Sequence, residues 1–299
     1  MQPQMNTDEH GWGIVLSAFI CVYLWLNPCL AFAADIRYEA SHVSMGSEYQ
    51  IVVYGSNQAI LAEACEQAFT EIDRLDDLLS NYKPSSELSH VNATAAKGPV
   101  KVTPEFFDFL RVSDEFRRQT FGAFDITLGR GRLSLDQRNS TVEFTTPEVK
   151  LDPGGIGKGL AVDHAIDILK AAGITRALVS AGMSTINAIG APPGEEQGWK
   201  IAIRSPKSKD IVAATVYLKD NSLSTSATYE KGRHIIDPRT RQPPDNGVEA
   251  VSSLTITGTE SDAITKCFFV LGRKGAVDYI RAHPGTHALV CDPECTWVK

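Results

Sequence analysis

Nine consecutive residues constrain this chain more than any other stretch: Leu151-Asp152-Pro153-Gly154-Gly155-Ile156-Gly157-Lys158-Gly159, followed by Leu160-Ala161-Val162-Asp163 at the start of a helical pattern. Four glycines and one lysine at a strand-to-helix junction leave bare backbone N–H groups and a cation where an anion, most often a phosphate, can approach a helix N-terminus. A phosphate-bearing ligand is the first expectation, and a ligand-free glycine turn is the alternative for this segment alone. The segment is not a Walker loop, because Gly159 follows Lys158 where a metal-binding Ser or Thr is required, and it lacks the G-x-G-x-x-G order of a dinucleotide fold.

With 299 residues the chain holds one large domain or two small ones, each with a real core. Charged residues at 22% and hydrophobic ones at 43% exclude a disordered or collagen-like chain. The formal charge of -7 gives no electrostatic footprint for nucleic acid. At the N-terminus an apolar run from Ile14 to Leu26 ends in Ala31-Phe32-Ala33 before Ala34, which reads as a signal peptide over residues 1–33 with an A-x-A cleavage site. Its n-region carries Asp8 and Glu9 and no Lys or Arg, so an uncleaved membrane anchor is the alternative; the Pro28 break shortens the apolar run and favours cleavage. The expected compartment is the periplasm, with membrane contact peripheral at most.

Export gives the cysteines meaning. Cys291 and Cys295 flank the turn signal Asp292-Pro293-Glu294, a candidate local disulfide across a hairpin. His283, His287, Cys291 and Cys295 recur every four residues, which invites a zinc reading, but Pro284 and Gly285 break the helix that such spacing needs.

Residues 34–299 read as one continuous domain. Glu48 to Tyr54 predicts a strand, and Ala59 to Leu79 a helix with Ile60, Ala64, Ala68, Ile72, Leu75 and Leu79 on one face. Pro104 to Gln119 predicts a second amphipathic helix, and Leu160 to Ala172 a third, stopped by Gly173. The second half turns to strands at 177–180, 199–203, 212–218, 251–256 and 287–291, with helices at 261–271 and 274–282. No regular βαβ rhythm runs through this order, so an α+β fold fits better than a doubly wound sheet.

Further segments combine polar and glycine residues in loop-like contexts: Ser80-Asn81-Tyr82, Gly122-Ala123-Phe124-Asp125, and Ser222 to Ala227, whose hydroxyls suit a helix cap or phosphate oxygens. The richest is His234-Ile235-Ile236-Asp237-Pro238-Arg239-Thr240. A histidine there takes a proton near neutral pH, Asp237 orients it, and Arg239 holds a phosphate or a carboxylate. A surface turn with an internal Asp–Arg pair is the bland alternative.

Together these segments resemble the FAD:protein FMN transferases of the ApbE type, in order and over nearly all of the chain after residue 33. The resemblance runs from Met45-Gly46-Ser47 through Tyr82, Gly122 to Asp125, Asp152 to Gly159, Ser224-Thr225-Ser226 and His234 to Thr240, and on to Asp262 and Phe269-Val270-Leu271-Gly272. It implies a T-fold-like α+β architecture of largely antiparallel sheets with packed helices. It further implies transfer of FMN from FAD to a threonine of a target protein with release of AMP, and a magnesium ion. On this resemblance Met45, Tyr82, Ala123, Phe124, Asp125, Gly154, Lys158, Leu160 and Ile235 line the FAD site, His234 and Asp237 serve proton transfer or phosphate contact, and Gly157, Asp262 and Thr265 hold the metal.

Departures from the family pattern are few and pointed. Lys266 stands where the family has a threonine ligand four residues after the aspartate, and a charged lysine cannot coordinate magnesium. Either Lys266 itself supplies the positive charge, or Asp262 and Lys266 simply form an i,i+4 helix pair. Gly182-Met183-Ser184 replaces Gly-Gly-Asp, Ala227 and Arg241 replace glycines, and the stretch from Gly129 to Asp152 is short, as though a helix beside the flavin were missing. These departures keep a non-catalytic FAD-binding protein and an FAD pyrophosphatase in view beside the transferase.

Overall fold

The structure, a computed structural model, describes residues 35–228 and 235–298. Strands β1 (Ile36–Ser44) and β2 (Ser47–Gly55) form a hairpin. Its two turn residues, Met45 and Gly46, both have positive φ, which matches the right-handed twist of the strands they join. Helix α1 (Gln58–Leu79) follows, capped by the Asn57 side chain, which accepts from the Ala59 and Ile60 N–H groups. Its buried stripe is Leu61, Ala64, Ala68, Ile72, Leu75 and Leu79; Ile60 is 50% exposed, and Leu61 takes the place that the sequence pattern gave it.

Helix α2 (Glu87–Thr94) and the short strand β3 (Val100–Lys101) lead to α3 (Pro104–Gln119), with Thr103 as its cap. Between Gly129 and Asp152 the chain forms the hairpin β4 (Leu133–Asp136) and β5 (Thr141–Phe144), which pairs with β3 in a small sheet; there is no helix. Helix α4 (Gly157–Ala171), β6 (Ala177–Ala181), β7 (Thr185–Ile189), β8 (Trp199–Ser205), β9 (Ser208–Leu218), β10 (Ser222–Ala227), β11 (Ala250–Thr255), α5 (Gly258–Ala282), β12 (His287–Cys291) and β13 (Cys295–Trp297) complete the order. Gly272, at φ 68° and ψ -172°, breaks α5 where the sequence pattern separates two helices.

One sheet carries eight strands in the order β1-β2-β6-β7-β10-β11-β12-β13, and each neighbouring pair is antiparallel. Side chains alternate across it. Ile51 and Val53 of β2 face a core built with α1 and α4, whereas Val52 and Tyr54 face the β8–β9 hairpin. A second core gathers α3, α5 and the inner face of β11–β12 around Phe106, Leu110, Phe268 and Val290.

The junction of α4 with α5 fixes the site. A Cβ on Gly159 would stand 2.2 Å from the Gly258 carbonyl oxygen, so only glycine permits this approach. Asp163 of α4 accepts from the N–H groups of Gly258 (2.6 Å) and Thr259 (2.8 Å), tying down the first turn of α5 where helical donors lack partners. Among the described residues no helix is long and apolar enough to cross a membrane.

Candidate functional site

Asp152 accepts from the Gly154 N–H at 2.8 Å and so caps the 3-10 turn Pro153–Gly155. Ile156, the cap residue of α4, offers no side-chain hydrogen bond, and the first turn holds no acidic residue. The start of α4 therefore keeps its positive end for other partners. The buried carboxylate of Asp262 takes one of these donors, the Gly159 N–H, at 3.1 Å.

A cavity of about 510 Å³ opens at this turn. Gly154, Gly155 and Lys158 form one wall, Phe124 and Asp125 a second, Thr225, Ser226 and Ala227 a third, and Ile235 and Pro238 a fourth. The size falls within the range of small-molecule sites. Lys158 donates to Ser184 Oγ at 2.5 Å across the floor. Phe124 lies against the glycine turn, with its Cε2 3.1 Å from the point where a Gly155 Cβ would stand, and packs edge-on against Phe116. Asp125 is buried; its Oδ1 accepts from the Thr127 N–H (2.8 Å) and hydroxyl (2.7 Å).

The turn after Ile235 is held rigidly. Asp237 accepts from the Arg239 N–H and Nε at 2.9 Å each and from Nη2 at 2.7 Å, so its carboxylate serves Arg239 and does not line the cavity. Burial alone would raise the Asp237 pKa, but the Arg239 bonds prevail and hold it below the usual aspartate value. Pro238 does line the cavity, and its carbonyl sits 1.7 Å from the place of a Gly129 Cβ, locking two walls together. Arg241 adopts φ 59°, which explains a glycine at this place in the family pattern, and its Nη2 donates to the Gly129 carbonyl at 2.9 Å.

Of the residues singled out from the sequence, Ala123, Phe124, Asp125, Gly154, Lys158 and Ile235 meet around the cavity. Met45 borders it: its neighbour Gly46 is in the lining, and its Sδ accepts from the Tyr49 hydroxyl at 3.2 Å. Leu160 packs against the two large cores, and Tyr82, 95% exposed just after α1, does not line the cavity. His234 lies outside the described residues, as does the 1–33 segment. The structure adds Ser47, Ser184, Thr225, Ser226 and Lys266 to the lining. Ser184 ends the tight turn between β6 and β7: Gly182 and Met183 both have positive φ, the Ser184 N–H donates to the Ala181 carbonyl, and Ala181 pairs with Thr185.

The donor set expected for magnesium does not fit a divalent cation. Asp262 is 1% exposed; Lys266 is ion-paired with its Oδ1, and Gly159 occupies its Oδ2. Thr265 is buried, its hydroxyl shared with Ser253 and Ser261, and none of Gly157, Asp262 and Thr265 lines the cavity, whereas Lys266 does. Elsewhere Glu71, Glu105 and His164 gather their ligand atoms, but Arg74 bridges both glutamates at 2.6–2.8 Å and supplies the balancing charge. Cys291 and Cys295 form a disulfide, which leaves neither thiolate for zinc. Burial pushes the Cys65 and Cys267 thiols up to about 12, so neither is a nucleophile at neutral pH.

A glycine turn, a lysine at a helix start, hydroxyls opposite and an aromatic wall define a protein for a phosphate-bearing ligand with a ring system. The ApbE family model matches residues 45–132 and 130–290. The chain belongs to the ApbE family. The FAD:protein FMN transferase of Escherichia coli (strain K12) is 27% identical over 280 residues, which cover 80% of this chain and 79% of that protein. That of Treponema pallidum is 26% identical over 93% of this chain and 91% of its own length. The crystal structure of the ApbE protein from Thermotoga maritima aligns with a TM-score of 0.76 at 27% identity, covering 85% of this chain and 94% of that one.

Proposed function

We propose that this protein is an FAD:protein FMN transferase that moves FMN from FAD onto a threonine hydroxyl of an exported target protein and releases AMP. The observation that carries the reading is the convergence of the Gly154–Gly155 turn, Lys158 and the start of α4 on one cavity with a facing row of hydroxyls. Backbone N–H groups and a lysine are the donors that a diphosphate requires. Phe124 offers a flat apolar surface for a ring.

In the reaction the threonine oxygen bonds to the FMN phosphorus, and the bond from that phosphorus to the bridging oxygen breaks. The bridging oxygen leaves with AMP. The hydroxyl proton passes to a base, and His234, next in sequence to the cavity residue Ile235, is the group proposed for it. Asp237 acts as a positioning residue: through Arg239 it fixes the turn that holds Pro238 in the wall. Lys158 steadies charge on the phosphoryl oxygens.

Export belongs to the same proposal. Cleavage after Ala33 delivers the chain to the periplasm, and the Cys291–Cys295 disulfide is in keeping with an oxidising compartment. The test of function mixes the purified protein with FAD and a threonine-bearing acceptor domain and looks for a fluorescent, covalently flavinylated band. Free FMN and AMP without that band would establish hydrolysis instead, and bound, unchanged FAD would establish a carrier. Intact mass of the periplasmic protein should begin at Ala34; a membrane-bound chain beginning at Met1 would contradict export with cleavage.

A further inference from the structure

We infer that the Lys266 ammonium stands in for the divalent cation and that this chain grips the FAD diphosphate without a bound metal. The inference rests on the transferase reading for its ligand and on the α4–α5 junction for its geometry.

Both oxygens of the Asp262 carboxylate are already engaged. Its Oδ2 accepts the Gly159 N–H, and Lys266 Nζ is paired with Oδ1 and also donates to the Asp262 carbonyl at 3.2 Å. A metal at this carboxylate would have to displace a lysine from a buried partner and then sit beside its positive charge. Both steps oppose binding, since an unpaired buried charge is strongly disfavoured and like charges repel. The same lysine is placed to do the work of the ion. It lines the cavity together with Lys158, and its Cδ is 3.8 Å from the point where a Gly155 Cβ would stand, so its stem runs along the glycine turn. An ammonium has three N–H donors, and Asp262 uses two. Among the described residues no other acceptor takes the third, which is left for a diphosphate oxygen.

Two lysines from two helices, Lys158 and Lys266, thus line one cavity, whose wall also holds the Asp125 and Asp152 carboxylates. The Lys266 ammonium and the N-terminus of α4 are the donors offered to the phosphoryl oxygens. In the transfer step Lys266 moves no proton and makes no bond to phosphorus; it holds a hydrogen bond to the diphosphate while the P–O bond to AMP breaks.

The experiment uses the full mature chain, stripped with EDTA. FAD affinity is read by quenching of flavin fluorescence, and FMN transfer by the flavinylated acceptor band, each in EDTA and in excess magnesium. The wild-type FAD Kd should agree between the two conditions within about two-fold. Lys266→Thr should bind FAD about ten-fold or more weakly in EDTA and regain affinity with magnesium. Magnesium tightening wild-type binding ten-fold or more would overturn the inference, as would a folded Lys266→Thr that binds FAD normally in EDTA, which is the result of a purely structural helix pair. Should the variant not fold, the wild-type comparison decides alone. Metal-free binding with no flavinylated acceptor would sustain the inference and overturn the transferase reading. No FAD binding in either condition would overturn both.

Discussion

Lys158 reaches Ser184 at 2.5 Å from the first turn of α4, with its charge directed at the cavity floor. A charged hydrogen bond to a phosphate is worth about 1.5–3 kcal/mol, so Lys158→Ala should weaken FAD binding about ten-fold or more, read by flavin fluorescence, with the melting temperature little changed. Asp237 gives a prediction with a sign. Its pKa is depressed in the folded protein because the Arg239 bonds outweigh burial. The pairing therefore contributes stability above the ordinary aspartate range of about 3.9, and that stability is lost as pH falls through the lower folded value. Asp237→Asn should cost roughly 1–3 kcal/mol at pH 7 and little at acid pH, so the two thermal midpoints should converge on acidification. The sequence shows this Asp–Arg turn as readily as it shows a catalytic aspartate. The bonds that its carboxylate accepts from Arg239 support the positioning role proposed for it.

At the scale of elements, α4 and α5 meet through glycine on both sides. Alanine at Gly159 would gain up to about 1 kcal/mol in helix propensity, yet its Cβ would fall 2.2 Å from the Gly258 oxygen and 2.8 Å from Asp262 Cβ. Overpacking of this kind costs about 1–3 kcal/mol, and here the neighbours are backbone, so Gly159→Ala should lower the melting temperature by several degrees. Asp163→Ala removes the acceptor of two α5 N–H groups, the Thr259 hydroxyl and the Asn187 amide, and should destabilise by roughly 2–4 kcal/mol in denaturant unfolding. The helices were legible because apolar spacing at 3.6 residues survives in α1, α3 and α4. The β10 strand was not. Ser222 to Ala227 is hydroxyl-rich and reads as a loop, but its hydroxyls are buried against Ser261, Thr185 and Ser252 in the middle of the sheet. That pairing is tertiary and leaves no periodic mark. The β4–β5 hairpin is likewise short, and its partner β3 is distant in sequence.

For the whole molecule, the α+β architecture followed from strands and helices mixed without a βαβ rhythm, and the antiparallel eight-stranded sheet agrees. The composition could not place the walls of the site, because they come from segments spread over more than a hundred residues: Phe124, Lys158, Thr225 and Lys266. Nor could spacing reveal that Asp262 is committed to Lys266 and Gly159, since an i,i+4 pair looks the same whether it is solvated or buried. The proposed transfer requires a dinucleotide to lie in this cavity. A crystal structure of the protein with FAD tests that directly: the diphosphate should lie within hydrogen-bond reach of the main-chain N–H groups at Gly154–Lys158 and of the Lys158 ammonium. FAD density elsewhere on the protein, with that turn untouched, would contradict it.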